Sequence, residues 1–155
     1  MSFRITGLDP APFRHLFGLP DEDLGKRNVK RYVADRKPGY PDRIELRDAE
    51  PGETLLLLNY LHQPAETPYK ASHAIFVREG AVTAYDGVDE TPECLRLRPI
   101  SLRAFDSSGM MVEADLASGR EVDAAIERLL ENPAASYIHA HYALPGCYAA
   151  RIDRA

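Results

Sequence analysis

Four consecutive leucines, Leu55-Leu56-Leu57-Leu58, followed by Asn59-Tyr60-Leu61-His62, constrain the fold more than any other stretch of this chain. The turn Asp48-Ala49-Glu50-Pro51-Gly52-Glu53 precedes the run, and Gln63 to Lys70, which holds Pro64 and Pro68, follows it as a loop. An unbroken apolar run of strand length between two such breakers reads as a central β-strand buried on both faces. A central strand needs partners, and the rest of the sequence offers several.

Phe3 to Thr6, Val29 to Ala34, Arg43 to Leu46 and Ser72 to Val77 read as strands. So do Ile100 to Phe105 and Met110 to Ala114, joined by the hairpin signal Asp106-Ser107-Ser108-Gly109. Tyr137 to Tyr142 and Tyr148 to Ile152 form a last pair around Pro145-Gly146. Helices are fewer. Asp9 can cap a short helix over Ala11 to Gly18, and Pro20-Asp21-Glu22-Asp23-Leu24 opens a second with its acids near the N-terminus. Ser118 with Glu121 spells a capping box ahead of Val122, Ala125, Ile126, Leu129 and Leu130, until Asn132-Pro133 stops the helix. The expectation is α+β: a single domain over residues 1–155, with a mainly antiparallel β-sheet and a few helices.

Bulk properties narrow the function classes. The length, 155 residues, suits one domain, and 45% hydrophobic with 28% charged residues is ordinary for a globular protein. No stretch approaches the ~20 apolar residues of a membrane helix, and the N-terminus lacks the layout of a signal peptide. Cys94 and Cys147 are the only cysteines, which fits a reducing cytoplasm rather than a disulfide framework. A net charge of −5 argues against a nucleic-acid partner. The commonest phosphate-loop, dinucleotide, zinc-protease, dithiol and esterase motifs are absent.

The candidate chemistry lies with the histidines. Four of the five (His62, His73, His139 and His141) fall at the edges or on the faces of expected strands. Side chains alternate along a strand, so His139 and His141 share a face, their Cα atoms ~6.5 Å apart, close enough to chelate one metal ion. The His-x-His is similar to the strand pair of cupin metal sites, but Leu144 and Pro145 stand where that pattern places a glutamate. The opposite face, Ile138, Ala140, Tyr142 and Leu144, is apolar enough to be the core side; on the blander reading the histidines cover a solvated face. Cys147 opens the neighbouring strand, where its thiol could pair with a histidine as a thiolate nucleophile or simply be a small buried hydrophobe.

His62, Gln63, Tyr69, Lys70, Ser72 and His73 bracket one loop and could together hold a polar or anionic ligand. Arg103 and Arg151, inside expected strands, could add the forked donor that carboxylate or phosphate prefers, or form ordinary salt bridges. The expected partner is therefore a small polar or anionic molecule. Two alternatives stand beside it: an enzyme using a His139/His141 metal site or a Cys147 thiolate, and a structural or interaction protein with no small-molecule site. The sequence names no cofactor and carries no signal for an oligomeric state.

Taken in order, Phe3-Arg4-Ile5-Thr6-Gly7-Leu8, Lys37-Pro38-Gly39-Tyr40-Pro41, His62-Gln63-Pro64, Ser72-His73-Ala74-Ile75-Phe76-Val77 and His139 to Tyr148 resemble one family. That family is DUF1203, a bacterial family of single-domain proteins of about this length. The resemblance implies a bacterial, cytoplasmic protein. It implies no activity, cofactor or catalytic residue.

Overall fold

The computed structural model describes residues 1–155 as two antiparallel sheets that face one another. The smaller sheet contains strands β2 (Lys30–Val33), β3 (Thr54–Gln63) and β4 (Ala71–Arg78), with β3 in the centre. The leucine run is thus the central strand of its sheet. Both faces are covered only at its start, where Leu55 and Leu56 are fully buried; further along, Leu57 is half-buried and Asn59 and Leu61 are exposed, so one face of the strand opens to solvent.

The larger sheet has six strands. It orders β5 (Asp86–Val88), β1 (Phe3–Thr6), β9 (Tyr148–Arg154), β8 (Tyr137–Tyr142), β6 (Ile100–Phe105) and β7 (Met111–Ala117). The β6–β7 hairpin turns at Gly109, whose φ of +88° is a left-handed conformation open to glycine at little cost. One face of this sheet carries the main core, with Ile100, Leu102, Ile138, Ala140, Tyr142 and Ile152 against helix α3 (Val122–Leu130). Helix α3 faces that core with Val122, Ala125, Ile126, Leu129 and Leu130, the positions whose spacing predicted it. The other face of the six-stranded sheet looks toward the small sheet, whose Leu56, Leu58, Ile75 and Val77 form a second core with Tyr148. Helix α1 (Asp21–Lys26) closes that core through Leu24.

Several local expectations are corrected. Ala11 to Leu16 form a 3-10 helix rather than an α-helix, although Asp9 does accept the Ala11 N–H at 2.9 Å. Arg43 to Leu46 are not a strand. The buried Asp42 carboxylate takes the backbone N–H groups of Glu45 and Arg78, and Leu46 adopts φ +49°, which folds the segment into an irregular loop. Ser118 makes no side-chain cap, because a 3-10 turn over Gly119–Glu121 intervenes before α3. Leu144, expected on the core side of its strand, is 94% exposed at the tip of the turn after β8. Strand β5 and the short helix α2 (Glu93–Arg96) had no clear periodicity behind them. No helix is long and apolar enough to cross a membrane.

A histidine cluster between two bulged strands

The four strand histidines converge where the sheets meet. His62 comes from the end of β3 and His73 from β4; His139 and His141 come from β8. The ring of His62 lies 4.9 Å from that of His73, 5.9 Å from His139 and 5.0 Å from His141, and His73 is 5.5 Å from His141.

Strand alternation brings the four rings to the space between the sheets, and two β-bulges shape their surroundings. In the small sheet the register runs Leu61↔Ser72 and then Gln63↔Ala71, so His62 is the extra residue of a bulge. In the large sheet Ala140 pairs Ala150 but His141 pairs Tyr148, so Ala149 is the extra residue there. An inserted residue twists its strand and redirects the side chains beside it. His62 keeps the face of Leu56 and Leu58, toward the large sheet, and the second bulge turns Tyr148 from the face of Ala150 and Ile152 to that of His141. Tyr148, 3% exposed, then stacks on His62 at 5.4 Å and meets His139 edge-on at 5.2 Å.

Burial is nearly complete: His62, His139 and His141 are 7%, 4% and 1% exposed. The reading of His139 and His141 as cover for a solvated face does not hold. Yet both ring nitrogens of His62, Nδ1 of His73, Nδ1 of His139 and Nε2 of His141 have no hydrogen-bond partner. Buried polar atoms are normally paired, and leaving one unpaired costs about 1–3 kcal/mol. Five such atoms gathered in one cluster mark it as the candidate site. His141 Nδ1 donates to the Gly146 carbonyl at 3.0 Å, which directs the Nε2 lone pair into the cluster. One ring nitrogen from each of His62, His139 and His141 lies within 4.8 Å of the others.

These imidazoles are neutral at pH 7. Burial, reinforced by His73 and Arg103, pushes His62 down to about 4, and burial pushes His139 and His141 down to about 3. His73 is lowered by the same burial and by Arg103. Arg103 sits across from His139 on β6 and makes no ion pair; its one side-chain hydrogen bond is a long one to Ser101 Oγ at 3.4 Å.

A cavity of about 310 Å³ opens onto the cluster, lined by His62, Gln63, Tyr137, His139 and Arg151 among others. Gln63 Nε2 donates to Tyr137 Oη at 2.9 Å, and Arg151 lies over the Tyr137 ring at 4.3 Å while pairing with Asp153. The other predicted site residues stay apart. Tyr69 and Ser72 are exposed, and Lys70 pairs with Glu66 in the loop. Cys147 accepts a hydrogen bond from Arg43 Nη2 at 2.9 Å instead of pairing with a histidine. Sequence reasoning missed Arg43, because the segment was read as a strand. It placed Tyr148 at the start of the last strand without assigning it to the histidine cluster, since a bulge leaves no mark in the sequence.

The four cluster histidines and Tyr148 all lie within residues 39–154, the segment that matches the family model described as "Protein of unknown function (DUF1203)". No curated protein and no solved structure matches the chain. Strands β1 and β2 and helix α1 precede the matched segment, which still covers most of the chain including both bulges. The chain belongs to the DUF1203 family.

Proposed function

We propose that this protein binds a borderline transition-metal ion of the Zn²⁺ class through His62, His139 and His141, and uses the ion to hold a small polar or anionic molecule. The observation that carries the reading is the convergence of three buried imidazoles, each with an unpartnered nitrogen, that bring one ring nitrogen apiece within 4.8 Å of the others. Neutral imidazole is the form that ligates, so the burial that depresses these histidines favours a metal over an anion held by charge. Donors of a tetrahedral site with Zn–N bonds of ~2.1 Å stand ~3.4 Å apart, so the rings draw in by on the order of 1 Å when loaded. The Gly146 carbonyl on His141 supplies the outer contact that fixes ring orientation.

Three protein ligands leave a tetrahedral ion one open position. The cavity beside His62 and His139 supplies space for its occupant, with Gln63 and Arg151 on the wall. A second reading, activation of a metal-bound water, is favoured by His73. Its Nδ1 is unpaired and its ring lies beside His62 and His141 but outside the three-nitrogen set, a suitable place for a proton acceptor.

The test is elemental analysis of purified protein together with thermal unfolding before and after adding Zn²⁺. Stoichiometric metal, or a rise in melting temperature lost in His62→Ala and His139→Ala, supports the proposal. Protein without metal whose unfolding ignores Zn²⁺ overturns it.

A further inference from the structure

The largest cavity of the molecule is not the one at the histidines. It encloses about 700 Å³ between β4, the irregular loop before β3 and the turn after β8, and reaches the cluster only through His73. Its size is that of a small-molecule site. Leu57, Phe76 and Pro99 give it apolar walls, and Arg36, Arg43 and Arg98 contribute guanidinium groups, with no acidic residue in the lining.

The three arginines differ in what balances them. Arg98 is held by both Asp48 oxygens at 2.6 and 3.0 Å, and Arg36 pairs with Asp35 at the surface. Arg43 is 2% exposed and has no carboxylate partner. It donates from Nε to the Tyr148 carbonyl at 2.8 Å, from Nη1 to the Pro41 carbonyl at 2.5 Å and from Nη2 to Cys147 Sγ at 2.9 Å. A guanidinium carries five N–H donors, so this arrangement leaves two unused at its Nη end. A buried cation without an anion is costly, and the cavity wall is where an anion can reach it. Tyr142 supports the group from behind, with Arg43 at 5.0 Å and Arg98 at 5.2 Å from its ring.

We propose that this cavity is a second site, which binds a small organic carboxylate with an apolar body, its charged end on Arg43 beside Cys147 and its body against Leu57 and Phe76. The inference does not depend on the metal reading.

Cys147 makes the site readable. Iodoacetamide alkylates a thiolate by loss of iodide to give a thioether, which intact mass reports; Cys94 is 2% exposed and stays unreacted. The probe is benzoate, with benzamide as its uncharged counterpart. At about ten times its dissociation constant, benzoate is expected to slow alkylation of Cys147 about tenfold by mass action, and benzamide is expected not to. Arg43→Gln removes the protection. Leu144→Asp, at a 94% exposed position on the cavity rim where folding is not at risk, weakens it by placing a like charge nearby. Protein stripped on a chelating resin keeps it. Equal protection by benzamide, no protection by benzoate, protection unchanged in Leu144→Asp, or protection lost with the metal each overturns the proposal.

Discussion

His62 stacks on Tyr148 with ring centroids 5.4 Å apart and planes 11° from parallel, and Tyr60 meets the same ring at 5.9 Å, so the two bulged strands meet around Tyr148. His62 and Tyr148 belong to different sheets. Their contact fixes the distance between His62, on the small sheet, and the His139/His141 pair on the large one. Tyr148 is also one of the buried residues of the core between the sheets, which makes the site's geometry part of the packing.

Removing that ring tests the coupling. Tyr148→Ala is expected to cost about 3–5 kcal/mol in urea unfolding, as large aromatic truncations in a core do, and to abolish any Zn²⁺-induced rise in melting temperature. Tyr148→Phe keeps the stack and should keep the response to metal. If Tyr148→Ala remains folded and responds to Zn²⁺ like the parent, the ring does not hold the site together.

Acid should weaken the fold earlier than its carboxylates alone would cause. His62, His139 and His141 are depressed to about 4, 3 and 3, below the ordinary value of ~6.5 that they take when unfolded. The unfolded chain therefore binds protons first, and the stability these residues contribute is present above pH ~6.5 and falls as pH drops toward 4 and then 3. Each fully depressed histidine contributes a slope of about 1.4 kcal/mol per pH unit in that window. Glu53 and Glu79, lowered to about 2 by Arg47 and Arg31, add their loss only below about pH 4.5. Urea unfolding of metal-free protein at pH 7, 6 and 5 reads the histidine part. A free energy flat across that range contradicts the neutral cluster, and His139→Gln should reduce the slope.

A close backbone approach gives a third prediction. A Cβ on Gly7 would lie 2.0 Å from the Ile44 carbonyl oxygen, and Leu8 N–H bonds the Arg43 carbonyl at 2.8 Å in the same crossing. Gly7→Ala must push apart the segment that carries Arg43, at a cost of about 1–3 kcal/mol or more. Gly25→Ala, in α1 with nothing within 4 Å, should be neutral or stabilising. Thermal unfolding of the two variants compares them directly; equal melting temperatures would show that the crossing yields.

The legible part of this molecule was what period and punctuation encode. The leucine run and its breakers predicted β3, and the spacing of Val122 to Leu130 predicted α3. The Asp106–Gly109 turn predicted the β6–β7 hairpin. The alternation of His139 and His141 placed both on one face, and both do point into the cluster. The unread part was set by long-range packing. The Arg43 to Leu46 run looked like a strand, but Asp42 captures two backbone N–H groups, one from Arg78 far along the chain, and the run becomes a loop. The bulges at His62 and Ala149 depend on how two strands register, which one strand's sequence does not state. Tyr69, Lys70 and Ser72 were grouped with His62 and His73 by proximity in sequence; strand alternation sends Ser72 to the face opposite His73.

The last prediction separates a metal-held anion from one held by charged histidines. Arg103 is unpaired, and its charge helps lower all four cluster histidines. Azide bound to Zn²⁺-loaded protein should therefore depend on both the ion and Arg103. Azide binding measured by titration calorimetry should stay nearly constant from pH 7 to 5.5, because imidazoles held at about 4, 3 and 3 remain neutral and keep the ion. Histidines acting as cations would instead bind azide more tightly in acid. Arg103→Gln should weaken azide about tenfold, or about 1.4 kcal/mol, while metal content stays stoichiometric. Affinity that rises in acid would remove the metal-held anion and leave the unpartnered nitrogens of the cluster to another ligand, and affinity that ignores Arg103→Gln would leave the ion alone as the anchor.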